Sequence, residues 1–270
     1  MTNTTIETGP GAAGPLLADL HLPEGQGNAK GPWPLVVGAH GGGWSHGARQ
    51  MLNPWGAWFA ARGIAFATVD YRRVSGPDTF PGNAADVATS LRYFAEHGAD
   101  HGIDPARIVM LGVSAGAHLG ALALMSPEFD TPKLRGFIGV YGVYDLMGHW
   151  QADVWRNAAP GTDKTHAMLN ATPFDDPDLY HRASPLHQIR YETAMPALVI
   201  WGESDREVLP EVNSVPFARA LTQARADVTT VPVQGAGHRW FSQESPDEAG
   251  TFSAQVAPEV LRFVKRQTGR

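Results

Sequence analysis

Six short apolar runs, none of them strictly alternating, set the strongest limit on the fold of this chain. They are Leu35–Ala39, Ile64–Val69, Ile108–Val113, Phe137–Tyr141, Ala197–Trp201 and Val228–Val233. Such runs suit strands buried on both faces of a parallel sheet. Leu16–Leu22 reads as a further strand. Helix-like stretches lie between the runs: Leu52–Ala61, the segment from Asn83, residues 115–125, Asn213–Ala224 and Ala254–Lys265. In the second of these Ala84, Val87, Ala88, Leu91 and Phe94 recur at helical spacing. Strands alternating with helices imply an α/β fold, a mostly parallel central sheet with helices on both faces.

Residues 145–185 break the rhythm. They carry Trp150, Trp155, Met168, Phe174 and Tyr180 among Pro, Asp and His residues, with no clear strand. A structureless loop of that length is uncommon in a compact domain, so the segment reads as a helical cap or insertion. Residues 1–14, rich in Thr, Gly and Ala, read as a flexible N-terminal tail. That leaves 15–270 as a single domain.

Composition excludes several functions. The formal charge is −6, from 21 basic and 27 acidic residues, which leaves no basic excess to neutralise a phosphate backbone. Cysteine is absent, so disulfides, thiolate metal sites and a cysteine nucleophile are all excluded. The opening residues have no cationic patch followed by an apolar run, and no run approaches the roughly 20 residues of a membrane helix. These features point to a cytoplasmic protein with neither membrane nor nucleic-acid partner.

The chemistry is concentrated in two glycine motifs. Ile108–Val113 runs into Gly112-Val113-Ser114-Ala115-Gly116, and small residues then open a helix. Gly112 and Gly116 lack the Cβ atoms that would clash in a tight strand-to-helix turn, which leaves Ser114 exposed above the sheet. The helix N-terminus beneath it favours a developing anion. The second motif, His40-Gly41-Gly42-Gly43-Trp44, follows Leu35–Ala39. Consecutive glycines are entropically costly and suit backbone N–H groups turned toward a ligand. No Gly-Lys-Ser/Thr ending follows, which disfavours a phosphate loop.

A serine hydroxyl needs an adjacent base to act as a nucleophile near neutral pH. Ala197–Trp201 ends in Gly202-Glu203-Ser204-Asp205, and Val228–Val233 is followed by Gln234-Gly235-Ala236-Gly237-His238. Both segments fall at carboxyl ends of strands, where ligands bind in open α/β sheets. Glu203 and Asp205 both remain open as the acid. Of the eleven histidines, His238 has this placement, His118 falls one helical turn beyond Ser114, and His149, His166 and His181 lie in the inserted segment. Trp44 and Trp240 adjoin the glycine and histidine loops and are candidate substrate-binding walls, with an ordinary core role open for each.

His40-Gly41-Gly42-Gly43-Trp44, then Asp70-Tyr71-Arg72, then Gly112–Gly116 together resemble the α/β-hydrolase superfamily. Within it the closest likeness is to the hormone-sensitive-lipase-like and kynurenine formamidase-like esterases. Asp104-Pro105-Ala106-Arg107-Ile108 and Ser184-Pro185-Leu186 share that likeness, which extends over residues 16 to 265. The resemblance implies a Ser114–Asp205–His238 triad, an oxyanion hole from the N–H groups of Gly41, Gly42 and Ala115, and no cofactor or metal. The implied function is a serine hydrolase cleaving short-chain or small aromatic carboxylic esters through an acyl-enzyme on Ser114, with water as second substrate. Two alternatives stand beside it. One is an aryl formamidase or amidase acting on an N-formylkynurenine-like substrate, although the third glycine of the motif is often aromatic in that group. The other is a catalytically silent ligand-binding homologue. A homodimer through an edge strand or the terminal helix is compatible with the composition.

Overall fold

The computed structural model describes residues 2–24, 31–75, 79–156 and 163–269. Its strands are β1 (Thr2–Gly11), β2 (Gly14–Leu22), β3 (Trp33–Ala39), β4 (Ala65–Val69), β5 (Ile103–Val113), β6 (Gly136–Val140), β7 (Ala197–Gly202) and β8 (Val228–Val233). They form one eight-stranded sheet in the order β1-β2-β4-β3-β5-β6-β7-β8. β1–β2 and β2–β4 pair antiparallel, and every other neighbouring pair is parallel.

The unbroken apolar runs follow from cover on both faces. In β3, Leu35 and Val37 point into one core, and Val36 between them points into the other. The first core is closed by α2 (Gly82–His97), α3 (Ala115–Met125) and α8 (Ser214–Gln223). The second is closed by α1 (Asn53–Ala60), the short α9 (Trp240–Gln243) and α10 (Phe252–Thr268). Trp55, Phe59, Phe241 and Phe263 fill it. α3 is buried over its whole length, which is why its side chains, His118 apart, are small or aliphatic with no polar stripe.

The inserted segment is helical, with α4 (Leu146–Trp155), α5 (Lys164–Leu169), α6 (Pro177–Ala183) and α7 (Pro185–Gln188). Three aspartates start the first three of these. Asp145, Asp163 and Asp176 accept the amides of Gly148, His166 and Leu179, satisfying N–H groups that a helix leaves free at its first turn.

The N-terminal reading needs correction. Residues 2–11 are not a loose tail but the edge strand β1, paired along β2 with Thr4 opposite Leu20 and Ile6 opposite Ala18. Thr5 donates to Asp19 at 2.8 Å, and Thr8 and Ser90 hydroxyls meet at 2.9 Å. β-Branched threonines favour an extended chain. The apolar content was too low to announce a strand.

Asp86 on α2 anchors the chain leaving β4. It accepts the Arg72 amide and two guanidinium N–H bonds, each at 2.8 Å, and is almost fully buried. Asp86→Ala strands these donors and should lower unfolding stability by about 2–4 kcal/mol. Denaturant midpoints measure this, and a loss below about 0.5 kcal/mol contradicts the anchoring role.

Candidate active site

The carboxyl ends of β3, β5, β6, β7 and β8 all contribute to one cavity of about 590 Å³. Ser114 stands at the end of β5 with φ 53° and ψ −117°, a strained conformation for a residue bearing a Cβ. The flanking glycines make this turn possible. A Cβ on Gly112 would run into Gly116 and Ala117 backbone, and one on Gly116 into the carbonyls of Ala39 and His40. The β5–α3 turn is therefore seated directly on the end of β3.

That seating brings the glycine loop beside the serine. A Cβ on Gly41 would lie 3.1 Å from Ser114 Cβ. Gly42 (φ 135°) and Gly43 (φ 55°) hold conformations that favour glycine. The Gly42 carbonyl accepts the amides of Ser45 and His46, which closes the loop on itself. Among the described residues, the amides of Gly41, Gly42 and Ala115 have no hydrogen-bond acceptor.

His238 Nε2 lies 3.0 Å from Ser114 Oγ, and His238 Nδ1 lies 2.7 Å from Asp205 Oδ2. The other oxygen of Asp205 accepts the amides of Glu207 and Val208, both at 2.9 Å. The loops after β7 and β8 are stitched together upstream of these contacts. Glu203 donates its amide to the Val233 carbonyl, and Ser204 donates to Ala236. Glu203 is exposed, whereas Asp205 is buried. Of the two acidic candidates, only Asp205 hydrogen-bonds the imidazole.

Of the two tryptophan candidates, Trp44 lines the cavity and Trp240 does not. Trp240 packs edge-on to Tyr141 and Phe252 within the second core. Tyr141 occupies the cavity wall in front of it. Its ring centre is 4.5 Å from that of His238, and its hydroxyl accepts the Phe241 amide at 3.1 Å. Tyr141 thus holds the histidine loop from below, a role the sequence marks only by its position just after β6.

Trp44 is tied inward. Its indole N–H donates to His118 Nδ1 at 3.0 Å, and His118 Nε2 is 2.8 Å from the Ala183 carbonyl of α6. An indole nitrogen only donates, so the His118 proton sits on Nε2 and donates to Ala183. This neutral ring joins the glycine loop, α3 and the cap. Burial pushes the pKa of His118 down to about 4, and does the same to His149 on α4. His40 stacks on Tyr71 at 4.4 Å, and its pKa too is lowered by burial.

The comparisons agree with this architecture. The sheet order, the turn at Ser114 and the cap define an α/β-hydrolase. The chain belongs to the BD-FAE family, whose model matches residues 18–221. It is 29% identical to esterase LipQ of Mycobacterium tuberculosis over 84% of this chain and 54% of that protein. It is 32% identical to the probable carboxylic ester hydrolase LipM of the same organism over 87% of this chain and 54% of that protein. The chain thus spans about half the length of these curated relatives. The thermophilic esterase Est2 of Thermogutta terrifontis superposes with a TM-score of 0.76 at 24% identity, over 98% of this chain and 92% of that one. Among the described residues, no helix is long and apolar enough to cross a membrane.

The lowered histidines give a signed pH dependence. A group with a folded pKa near 4 and an unfolded pKa near 6.5 contributes its stability above pH 6.5. That stability drains as pH falls from 6.5 to about 4, on the order of 3 kcal/mol per ring. Melting temperature should fall over this window, and His118→Gln should flatten the slope. An equal slope in the variant contradicts the assignment.

Proposed function

We propose that this chain is a serine ester hydrolase that works through an acyl-enzyme on Ser114. The observation that carries the reading is the continuous hydrogen-bonded chain from Ser114 Oγ through His238 to Asp205. Ser114 attacks the ester carbonyl as His238 Nε2 takes its proton. Asp205 accepts from Nδ1, fixing the tautomer and stabilising the imidazolium. The two amides that Asp205 accepts keep its carboxylate aimed. The N–H groups of Gly41, Gly42 and Ala115 receive the oxyanion, and a donor of this kind supplies about 3 kcal/mol.

His238 then gives the proton to the leaving alkoxide. Water, deprotonated by the same imidazole, cleaves the acyl-enzyme and restores Ser114. The cavity volume suits a small ester, short-chain or aromatic. Est2 of T. terrifontis, which shares the fold, has been obtained phosphorylated by paraoxon. The absence of cysteine fits a cytoplasmic setting, and an edge strand or α10 offers a surface for a homodimer.

Ser114→Ala should retain the fold and lose nearly all turnover of p-nitrophenyl acetate. Asp205→Asn, which leaves the imidazole in the wrong tautomer, should lower kcat by about 10⁴. Undiminished hydrolysis by Ser114→Ala rejects the mechanism. Faster turnover of N-formylkynurenine than of any short ester would transfer the assignment to an amidase.

A further inference from the structure

The cap wall of the cavity carries a second histidine–carboxylate pair, His149 and Asp153, one turn apart on α4. His149 is only 5% exposed. Its Nε2 faces Asp153 Oδ2 at 3.6 Å, and neither ring nitrogen hydrogen-bonds a described residue. Asp153, half-buried, likewise accepts no hydrogen bond from a described residue. Its nearest cationic neighbour is Arg156, at 3.8 Å, beyond hydrogen-bond length. A buried ring beside a half-buried carboxylate in a cavity, neither hydrogen-bonded by a described residue, is an arrangement that proteins seldom leave unused.

The charge state narrows what they receive. Burial holds His149 neutral, with a pKa near 4, so it offers one N–H and one lone pair at neutral pH. Arg156 and Lys164 also line the cavity and act electrostatically on Asp153. An arriving ammonium would meet four cations, Arg156, Lys164, Arg206 and Arg239, against three carboxylates, Asp153, Asp163 and Glu207. An alkyl chain would leave His149 and Asp153 desolvated and unpaired, which is costly. A neutral hydroxyl both donates and accepts, and meets neither penalty.

We propose that His149 and Asp153 form a specificity subsite for a hydroxyl on the arm of the ester remote from the scissile carbonyl. The proposal rests on the serine-hydrolase reading above. His149 touches the hydroxyl, and Asp153 acts as a second acceptor that also orients the ring. The preferred substrates are therefore hydroxylated esters, not simple alkyl esters of equal size.

Two substrate pairs that exchange a hydroxyl for a methyl group test this on either arm. They are p-nitrophenyl 3-hydroxybutyrate against 3-methylbutyrate, and 2-hydroxyethyl acetate against propyl acetate. In one pair the hydroxylated ester should lead in kcat/KM by about ten-fold or more. The ratio should collapse to within about two-fold in His149→Leu and fall part-way in Asp153→Asn. Should His149→Leu fail to fold, judged by circular dichroism, Asp153→Asn on the more open side of the pair carries the test. No preference in either pair, or an unchanged ratio in a folded variant, overturns the subsite. Ser114→Ala separates the two claims. An inactive Ser114→Ala beside an undiscriminating parent enzyme rejects the subsite alone, whereas an active one rejects the hydrolase reading beneath it.

Discussion

The seating of one backbone turn on another governs this structure. The β5–α3 turn approaches the end of β3 so closely that Gly116 has no room for a Cβ, and it is itself so tight that Gly112 has none either. That approach forces Ser114 into positive φ and lays the Gly41–Gly43 loop against its side chain. A parallel sheet supplies the rest of the geometry, because its loops emerge at one end. The β7 and β8 loops reach the same place, tied by the Glu203 and Ser204 amides before they deliver Asp205 and His238. Strain at Ser114 is therefore sustained by a scaffold that offers that segment no relaxed alternative.

Much of this was legible in the residues. The unbroken apolar runs announced strands covered on both faces, and β3 indeed alternates between two cores. The glycine spacing about Ser114 announced a turn in which side chains do not fit. Other features were not legible, for identifiable reasons. β1 is rich in threonine and glycine, and its strand character comes from pairing with β2 rather than from an apolar run. Trp240 adjoins His238 in sequence, yet it begins the short helix α9 and turns into the core, while Tyr141, from a distant strand end, takes the wall. Spacing alone left Glu203 and Asp205 open and the family resemblance pointed to Asp205, the one that is buried and hydrogen-bonded to His238. His149 looked like any cap histidine, because only the folded α4 turns it toward the cavity.

The histidines divide by their partners. His40, His118 and His149 are buried with lowered pKa values, and the first two act as hydrogen-bonding parts of the framework. His238, by contrast, has a carboxylate on one nitrogen and a hydroxyl on the other. In the mechanism proposed above, that environment suits a ring that carries a proton briefly, with Asp205 compensating the charge. The cap contributes through its Asp-capped helices and through His118, whose bond to Ala183 connects α6 to the helix that begins just after Ser114.

The central claim is that Ser114 is the activated nucleophile of this chain. Incubation with paraoxon followed by peptide mass spectrometry tests it most directly. The account predicts one diethylphosphoryl group per chain, on the peptide bearing Ser114, with loss of esterase activity in step with labelling. An unlabelled Ser114 in an active protein, or inactivation through a label on another residue, contradicts it.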